Sequence, residues 1–492
     1  MLRKVRIAAA AVCFALITLL FLDFTGTLHA WFGWLAKVQL LPAVLALNVG
    51  VIVFLVALTL IFGRIYCSVI CPLGVMQDLI SWFGDKAKKN RFSYSPAKSW
   101  LRYGVLALFV VALVAGFASI ALLIAPYSAY GRIAQNLLAP LWGWGNNLLA
   151  YFAERVDSYT FYSTEVWIRN FATLGVAAVT LVVLAVLAWR NGRTYCNTIC
   201  PVGTVLGFLS RFSLLKPVID TEKCINCNIC SKNCKAACID IPNHKIDYSR
   251  CVTCMNCIEK CPKKAISYVM RPAAQKAATA EAKVDTARRN FLIGAGLVAA
   301  EAVRAQEMRG DGGYAVLVDK QAPDRENPIT PPGSKSLRNL TAHCTGCQLC
   351  VAACPTQILR PSSDLKMFMQ PTMSYENGYC RPECNKCSTV CPTGAINLIS
   401  VAEKSSVQIG HAVWVKKNCI VVADDKDCGN CERHCPTKAI TMVPLDPANP
   451  ESRKIPTVNE SLCIGCGACE HLCPSRPFSA IYVKGYQSHL HN

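Results

Sequence analysis

The chain has 492 residues, of which 30 are cysteine, and hydrophobic residues make up 53% of it. That length allows about three domains, and the composition excludes an ordinary soluble enzyme and indicates a part that lies in a membrane. The formal net charge of +20 would favour a nucleic-acid partner, but the sequence contains no nucleic-acid-binding motif, and basic loops beside membrane helices explain part of the excess.

Four apolar segments in the first 215 residues are close to the length of about 20 residues that a membrane-spanning helix needs. They are residues 7–24, 40–62, 103–125 and 171–189. The first follows a basic head and lacks a small-residue cleavage site, so we predict a retained helix. Basic residues lie between the second and third segments and after the fourth, which places the N-terminus in the cytoplasm. We therefore predict a four-helix membrane domain over residues 1–215.

The segment between the third and fourth spans, residues 126–170, should face outward. Within it, residues 137–150 are typical of a helix in the membrane interface. Four aromatic residues of the segment 126–170 either anchor it at the bilayer surface or line a quinone pocket. They are Tyr127, Tyr130, Trp142 and Trp144. We expect no haem, because no histidine lies in the middle of a span and Cys-x-x-Cys-His is absent.

The second and fourth spans end on the same twelve-residue motif. Residues 63–74 and 192–203 both read Gly-Arg-x-Tyr-Cys-x-x-Ile-Cys-Pro-x-Gly. This internal repeat predicts two helix–loop units that bring four thiols together at the cytoplasmic face: Cys67, Cys71, Cys196 and Cys200. Four soft ligands suit iron, an iron–sulfur cluster or another thiophilic metal. Two reversible dithiols and a structural turn are the alternatives.

Residues 216–270 contain two matched cysteine runs. The first is Cys224, Cys227, Cys230 and Cys234; the second is Cys251, Cys254, Cys257 and Cys261. In such runs three cysteines bind one [4Fe–4S] cluster and the fourth binds the other. We therefore assign Cys261 to the first cluster and Cys234 to the second. Zinc would not need the third and fourth cysteines. Cys238 is either a spare thiol or a substitute for Cys234.

The first 270 residues resemble NapH, the membrane ferredoxin of periplasmic nitrate reductase systems. The resemblance rests on the paired Gly-Arg-x-x-Cys-x3-Cys-Pro-x-Gly motifs, the four spans and the following dicluster α+β ferredoxin domain. It implies electron transfer linked to the quinone pool, with the dicluster domain in the cytoplasm. Lys235 departs from the family pattern, in which a proline often follows the fourth cysteine.

Residues 271–325 are predicted to form a linker. Arg288 and Arg289, followed by Phe291, Leu292 and a short apolar run, resemble a twin-arginine export signal. A basic linker with a short buried helix is the alternative. If the signal functions, the remaining chain is exported already folded.

Residues 326–492 contain four further cysteine runs and so predict four further [4Fe–4S] clusters. The runs are Cys344, Cys347, Cys350 and Cys354; Cys380, Cys384, Cys387 and Cys391; Cys419, Cys428, Cys431 and Cys435; and Cys463, Cys466, Cys469 and Cys473. Because the first gaps of the two inner runs are longer, we expect the outer runs to pair with each other and the inner two likewise. Consecutive pairing is the alternative.

This block resembles NapG and MauM, in its Pro-Pro-Gly entry, its four runs and the preceding paired arginines. The chain as a whole resembles a membrane ferredoxin of the NapH or MauN kind fused to such a polyferredoxin. The resemblance implies a bacterial inner-membrane protein with the N-terminus and residues 216–290 in the cytoplasm and residues 310–492 in the periplasm.

Together these observations predict an electron-transfer protein with six [4Fe–4S] clusters that connects a quinol or a cytoplasmic donor to a partner redox subunit or cytochrome. The chain has no glycine fingerprint for a flavin or dinucleotide. Its partners would be membrane lipid, quinone and other redox subunits. Two further hypotheses are a quinol dehydrogenase in its own right and an assembly factor that reduces a metal centre in a client protein.

Overall fold

The structure, a computed structural model, describes residues 2–23, 25–87, 92–116, 118–158, 160–164, 166, 169–270, 309–310, 316–317 and 319–491. The twin-arginine-like segment and most of the predicted linker lie outside the described residues.

The first 215 residues are mainly helical. In chain order the helices are α1 (Leu2–Leu22), α2 (Thr27–Phe32), α3 (Trp34–Lys37), α4 (Leu40–Leu45), α5 (Val49–Phe62), α6 (Ile65–Val69), α7 (Pro72–Ala87), α8 (Ser99–Val114), α9 (Ala118–Leu123), α10 (Pro126–Ile133), α11 (Ala139–Glu154), α12 (Phe171–Asn191), α13 (Thr194–Thr198) and α14 (Pro201–Leu209). A π-helical segment, Ala134–Leu138, joins α10 to α11.

Among the described residues, two helices, α1 and α12, are long and apolar enough to cross a membrane, with 21 residues each. The predicted spans 40–62 and 103–125 are not single helices. The first divides at Leu47, which has a left-handed φ of 51°, and Asn48 caps the N-terminus of α5. The second divides at Gly116, whose φ is 81°. Both conformations interrupt helical geometry, so α5 and α8 are shorter apolar helices.

The start of the segment that we expected to face outward is part of the core. Every residue of α10 is buried, and the helix packs against α7 and α12. The ring of Tyr130 lies edge-on to Phe14, with 5.6 Å between centroids. The hydroxyl of Tyr130 forms a hydrogen bond with the hydroxyl of Thr18. Sequence hydropathy did not identify this helix because its tyrosines, serine and arginine make it only moderately apolar.

The first ferredoxin domain follows α14. Its elements in chain order are β1 (Leu215–Ile219), α15 (Ile229–Lys232), β2 (Ile239–Asp240), β3 (Lys245–Ile246), α16 (Asn256–Lys260) and β4 (Ile266–Met270). β1 pairs antiparallel with β4, with Pro217 opposite Tyr268, and β2 pairs antiparallel with β3. The terminal strands therefore close the domain on itself.

The C-terminal block contains short helices and strands. They are β5 (Arg309–Gly310), β6 (Val316–Leu317), α17 (Leu337–His343), α18 (Leu349–Ala353), β7 (Leu359–Pro361), β8 (Pro371–Met373), α19 (Lys386–Val390), α20 (Val401–Ser406), β9 (Val407–Trp414), α21 (Ile420–Ala423), α22 (Asn430–Arg433), β10 (Ile440–Pro444), β11 (Lys454–Val458), α23 (Ala468–Leu472) and β12 (Ile481–His491). β12 pairs antiparallel with β9. Because β9 follows the second cysteine run and β12 the fourth, this pair joins the two halves of the block.

Helix α1 connects the two iron–sulfur blocks. Near its first residues Arg3 forms an ion pair with Glu259 of the first ferredoxin domain, at 2.7 Å. Just beyond its last residues Lys386 of the C-terminal block donates to the carbonyl of Thr25, at 3.0 Å.

Helix α12 makes the same connection in the opposite direction. At its N-terminus Asn170 donates to the carbonyl of Pro361 in the C-terminal block, at 2.8 Å. Beyond its C-terminus the amide of Arg193 donates to the carbonyl of Lys235 in the first ferredoxin domain, at 2.7 Å. A helix of this length measures about 30 Å, so the two blocks lie at opposite ends of the helical domain.

Candidate electron-transfer sites

Two cysteine-lined cavities lie in the first ferredoxin domain. Site A is lined by Cys224, Cys227, Cys230 and Cys261. Site B is lined by Cys234, Cys251, Cys254 and Cys257. The fourth cysteine of each run therefore lines the cavity of the other run. This crossed arrangement follows from the packing of α15 against α16, because each short helix carries its fourth cysteine toward its neighbour.

A fifth thiol lies in the wall of site B. Cys238 is buried and lines the same cavity, and its Sγ is 3.5 Å from Sγ of Cys234. Of the two interpretations of Cys238, its position is compatible with substitution for Cys234.

In four runs, the loop around the second cysteine has one backbone feature that the cysteine spacing did not reveal. Residues on both sides of that cysteine are left-handed: Asn226 and Asn228, Thr253 and Met255, Gly346 and Gln348, and Gly465 and Gly467. Alternation of this kind turns successive backbone N–H groups toward one point, which favours an anion such as an iron–sulfur cluster. Only the asparagines and glycines indicate the conformation in the sequence, since those types adopt it readily.

In the C-terminal block the cysteine runs pair consecutively. Site C combines Cys344, Cys347 and Cys350 with Cys391, and site D is lined by Cys380, Cys384 and Cys387 with Cys354. Burial first, and then the neighbouring thiols including Cys391, raise the pKa of Cys350 well above its usual value. The expectation that the first run pairs with the fourth is therefore wrong. Gap lengths describe the loop before each short helix, whereas pairing depends on which helices touch, and α18 packs against α19.

The last two runs form the second pair. Site E combines Cys463, Cys466 and Cys469 with Cys435, and site F combines Cys419, Cys428 and Cys431 with Cys473. Here α22 packs against α23.

Sites D and E meet across the junction of the two halves. The amide of Cys380, in site D, donates to the carbonyl of Cys466, in site E, at 2.9 Å. The buried hydroxyl of Tyr375 donates to the carbonyl of Gly465 at 2.7 Å. The sites of this block therefore follow one another in the order C, D, E, F.

The two repeated motifs bring their thiols together inside the helical domain. Cys67, Cys71, Cys196 and Cys200 are all buried, and we call this group the four-thiol centre. Burial first, and then the neighbouring thiols Cys196, Cys71 and Cys67, raise the pKa of Cys200 well above its usual value. Cys67 lies on α6 and Cys71 directly precedes α7. Cys196 lies on α13 and Cys200 directly precedes α14.

The motif arginines cross between the repeats. Nη2 of Arg64 donates to the carbonyl of Cys196 at 3.1 Å, and Nη1 of Arg193 donates to the carbonyl of Cys67 at 2.9 Å. Both side chains are 0% exposed. Both had been counted among the basic residues that follow the second and fourth apolar segments, but they are not exposed loop charges. In the sequence, the feature that could have indicated a role inside the site was their identical position in both repeats.

The last glycine of each motif leaves room for the arginine of the other repeat. A Cβ at Gly74 would lie 2.2 Å from the carbonyl oxygen of Cys67 and 2.6 Å from Nη1 of Arg193. A Cβ at Gly203 would lie 2.2 Å from the carbonyl oxygen of Cys196 and 2.8 Å from Nη2 of Arg64. The last glycine of each motif therefore permits the close approach of the other repeat's arginine.

One carboxylate connects this centre to the first ferredoxin domain. Asp78 accepts from Arg193 at 2.8 Å and from Lys235 at 2.9 Å, and it also pairs with Arg6. Burial opposes its ionisation, but the three cations outweigh burial and hold the pKa of Asp78 well below its usual value. Lys235, the residue that departs from the family pattern, thus has a defined partner. Asp78 was missed because a single aspartate carries no spacing signal.

The four-thiol centre adjoins site B through Arg64. Its Nη2 is 3.8 Å from Sγ of Cys67, and its Nη1 donates to the carbonyl of Ser249, two residues before Cys251, at 3.1 Å.

Buried tyrosines lie on the opposite side of the centre. The hydroxyl of Tyr195, next to Cys196, donates to the carbonyl of Ile124 at 2.6 Å. Three residues further on, Tyr127 is 2% exposed. Burial first, and then Cys347 and Cys391 of site C, raise the pKa of Tyr127 well above its usual value.

Two other predicted residues are placed differently. Trp142 lines a large cavity at the end of the helical domain, whereas Trp144 is 60% exposed. Within the part of the chain that the structure describes, no three histidine, cysteine or acidic side chains approach closely enough to hold one metal ion.

Three family models match this chain. A 4Fe-4S binding domain matches residues 44–91 and 171–219, and each of these segments contains one twelve-residue motif. A 4Fe-4S dicluster domain matches residues 343–412 and 426–476, a division that agrees with consecutive pairing. A further 4Fe-4S binding domain matches residues 244–267.

Curated relatives are ferredoxin-type proteins. The methylamine utilization ferredoxin-type protein MauM of Methylobacillus flagellatus is 32% identical over 174 residues, covering 33% of this chain and 70% of that protein. MauN of Paracoccus denitrificans is 26% identical over 216 residues, covering 43% and 60%. Ferredoxin-type protein NapH of Haemophilus influenzae is 25% identical over 198 residues, covering 40% and 56%. The chain thus spans little more than half the length of the last two. No solved structure matches it.

Proposed function

Because the chain belongs to the family of ferredoxin-type electron-transport proteins that includes MauM and NapH, we propose that it is a membrane conduit that carries electrons between the quinone pool and a partner redox subunit. Iron–sulfur clusters are the carriers. Sites A to F each hold one [4Fe–4S] cluster, and the four-thiol centre holds a further iron–sulfur cluster.

The observation that carries this proposal is the position of the two blocks at opposite ends of α1 and α12. These two helices have the length and hydropathy of membrane spans. If they cross the bilayer, the first ferredoxin domain lies in the cytoplasm and the C-terminal block in the periplasm. An epitope tag placed after Asn492 should then be removed by protease added to intact spheroplasts, and a tag that is removed only after the cells are lysed would contradict this topology.

The order of the sites supports a continuous route. Sites A and B lead to Arg64 and the four-thiol centre, and Tyr195 and Tyr127 lie between that centre and site C. Sites D, E and F follow. Without the four-thiol centre no carrier would lie between site B and site C, and electrons would have to cross the helical domain in one step. Conduction therefore depends on this centre.

The two buried arginines suit a cluster at that centre. Four thiolates around an iron–sulfur core leave net negative charge, which is costly to bury unless it is compensated. Arg64 and Arg193 provide fixed positive charge beside the sulfurs, at 3.8 Å from Cys67 and 3.7 Å from Cys196. Net charge and hydrogen bonds to sulfur are among the features that set the potential of such a cluster.

A sealed-vesicle experiment tests conduction. The purified chain is reconstituted anaerobically into liposomes that contain ferricyanide, and dithionite, which does not cross the bilayer, is added outside. We expect the trapped ferricyanide to be reduced, and Cys67→Ser combined with Cys196→Ser should abolish that reduction.

The control is spectroscopic. The double variant should keep the EPR signals of the six ferredoxin-type clusters, which shows that both blocks are folded and loaded. If the double variant conducts as fast as the unmodified chain, the four-thiol centre is not on the route and the proposed function is wrong.

A further inference from the structure

A cavity of about 290 Å³ lies between the helical domain and the first ferredoxin domain. Its wall comes from three parts of the chain: residues 92–98 before α8, the end of α12 with the following α13, and residues 236, 237 and 250 of the ferredoxin domain. A cavity of about 150 Å³ accommodates a benzene ring, so this one has room for a phosphate group and its neighbouring atoms.

The wall of this cavity is basic. Each of the three parts supplies one cation, Lys98, Arg190 and Arg250, and none of the described wall residues is acidic. Arg250 pairs with Asp247 at 2.7 Å, whereas Lys98 and Arg190 are exposed and form no ion pair with a described residue. Basic residues often flank membrane helices, but helix orientation does not explain why they converge with an arginine of another domain.

The back of the cavity is fixed by hydrogen bonds. Oδ1 of Asn197 accepts from Nη1 of Arg64 at 2.8 Å, and its Nδ2 donates to the carbonyl of Ala236 at 3.2 Å. Both ends of this amide therefore already have partners. The groups that can hold a ligand are at the open side, where the exposed hydroxyls of Ser93 and Ser95 accompany the two unpaired cations. Cationic donors with hydroxyls and no carboxylate favour a phosphate group.

Two exposed tryptophans indicate the level of the cavity relative to a bilayer. Trp100 is 79% exposed in the first turn of α8, and Trp189 is 47% exposed in the last turn of α12. Tryptophan is enriched where a membrane meets water. Lys98 and Arg190 lie next to these tryptophans in the sequence, so the open side of the cavity faces the layer of lipid headgroups.

We propose that this cavity binds the phosphate group of an anionic phospholipid, with Lys98 and Arg190 forming charge-assisted hydrogen bonds to its oxygens. Basic pockets beside membrane helices bind such headgroups. The inference rests on one part of the proposed function, the passage of α12 through the bilayer. Free phosphate has the same chemistry without acyl chains, and the experiments separate the two sources.

Photolabelling tests where the lipid binds. The purified chain is reconstituted anaerobically into vesicles that contain phosphatidylglycerol with a diazirine on its headgroup, and labelled peptides are identified by mass spectrometry. We expect label within residues 92–98, 190–198 or 236–250, and much less label there from phosphatidylcholine with the same diazirine. Equal labelling of these segments by the two lipids would overturn the inference.

Inorganic phosphate distinguishes the two sources of the phosphate group. Added in excess over the diazirine lipid, it should reduce the labelling only slightly, because the acyl chains hold the lipid at the bilayer surface. If inorganic phosphate abolishes the label, free phosphate is the ligand of the cavity and the assignment to a lipid is wrong.

Substitutions test whether the two cations hold the lipid. The chain is freed of lipid in detergent and titrated with spin-labelled phosphatidylglycerol, and the immobilised component of the EPR spectrum is followed. Lys98→Gln combined with Arg190→Gln should raise the half-saturating lipid concentration about 25-fold, since each basic residue near an anionic surface contributes about fivefold. Lys98→Arg combined with Arg190→Lys keeps both charges and should bind like the unmodified chain.

A second double variant is the matched control. Lys86→Gln combined with Arg211→Gln removes one exposed lysine and one exposed arginine that lie outside the cavity wall. It should keep the affinity of the unmodified chain. If it loses as much affinity as the cavity variant, the preference for anionic lipid belongs to the whole basic surface and the cavity is not its site.

Vesicle conduction separates this inference from the proposed function. The variant that lacks both cavity cations should keep the EPR signals of the six ferredoxin-type clusters and should still reduce trapped ferricyanide. If the lipid results are as expected but the unmodified chain does not conduct, the proposed function fails and the lipid site stands. If the unmodified chain conducts but shows no preference for phosphatidylglycerol at the cavity, the lipid site fails and the conduit stands.

Discussion

The four-thiol centre and the ferredoxin-type sites present sulfur in two different ways. In sites A, B, C and E, a short loop turns its backbone N–H groups toward the cavity through left-handed residues such as Gly465 and Gly467. At the four-thiol centre the comparable positive charge comes from two buried arginines, each supplied by the opposite repeat. One device is local in sequence, and the other requires two segments about 130 residues apart to fold together.

This difference has a physical consequence. Backbone dipoles are partial charges that any loop of the right conformation supplies, so a ferredoxin-type site depends mainly on its own run and one neighbouring cysteine. A guanidinium is a full charge that must itself be paired when buried. The four-thiol centre therefore depends on Asp78. Through Lys235 it also depends on the folding of the first ferredoxin domain.

The largest effect should come from the motif glycines. Gly74→Ala or Gly203→Ala places a methyl group against a carbonyl oxygen at 2.2 Å and against the opposite arginine, so the reciprocal contacts cannot form. We expect loss of the four-thiol centre and of vesicle conduction, with the six ferredoxin-type EPR signals retained. Gly104→Ala is the control, since nothing lies within 4 Å of its added Cβ. Normal conduction by Gly203→Ala would show that the arginines are not required.

A single cysteine substitution tests the ferredoxin-type sites in the same way. Cys391→Ser should remove the cluster of site C, about four iron atoms, and leave the signals of sites E and F. Consecutive pairing predicts this result because Cys391 neighbours Cys344, Cys347 and Cys350. Cys473→Ser is the matched variant and should remove only site F. If Cys473→Ser instead lost the cluster of the first run, the outer runs would pair with each other and consecutive pairing would be wrong.

The same contrast between local and long-range geometry explains which features of the sites could be predicted from the sequence. Cysteine spacing predicted which residues line each cavity of the first ferredoxin domain, because a run of eleven residues contains nearly all of the geometry. It could not predict which runs pair in the C-terminal block, because that depends on contacts such as those of α18 with α19. Repetition of the twelve-residue motif predicted that the four thiols meet, but not that Arg64 and Arg193 cross over.

The helical domain shows a second limit of sequence reasoning. Hydropathy identified α1 and α12, which are long unbroken apolar helices. It did not predict the break at Leu47, because a left-handed leucine is unfavourable by itself and is held only by its surroundings. It also did not identify α10 as a core helix, since Tyr127, Ser128 and Arg132 become satisfied only through tertiary contacts such as those of Arg132 with the carbonyls of residues 122 and 123.

Asp78→Asn should have a smaller, thermodynamic effect. It leaves Arg6, Arg193 and Lys235 without their carboxylate, and breaking such a buried network costs about 3–5 kcal/mol. Because the pKa of Asp78 is depressed in the folded chain, its contribution is fully present above the ordinary value of about 4 and is lost as the pH falls below it. Anaerobic thermal unfolding should show a lower midpoint at pH 7, with a difference from the unmodified chain that shrinks in acid. A difference independent of pH would contradict this role.

The smallest effect concerns acid sensitivity in the C-terminal block. His489 is 8% exposed, its Nε2 is 2.8 Å from Oγ1 of Thr330, and burial first, then the charge of His491, lower its pKa to about 4. The unfolded chain binds this proton near pH 6.5, so stability should fall as the pH drops through the interval from about 6.5 to 4, by about 1–2 kcal/mol at pH 5. His489→Gln should remove that slope, whereas His491→Gln, at an exposed neighbouring position, should keep most of it. Since the contribution of Asp78 is lost only below about pH 4, the two residues should affect stability in separate pH intervals, and an Asp78→Asn difference that already shrinks between about pH 6.5 and 4 would contradict this assignment.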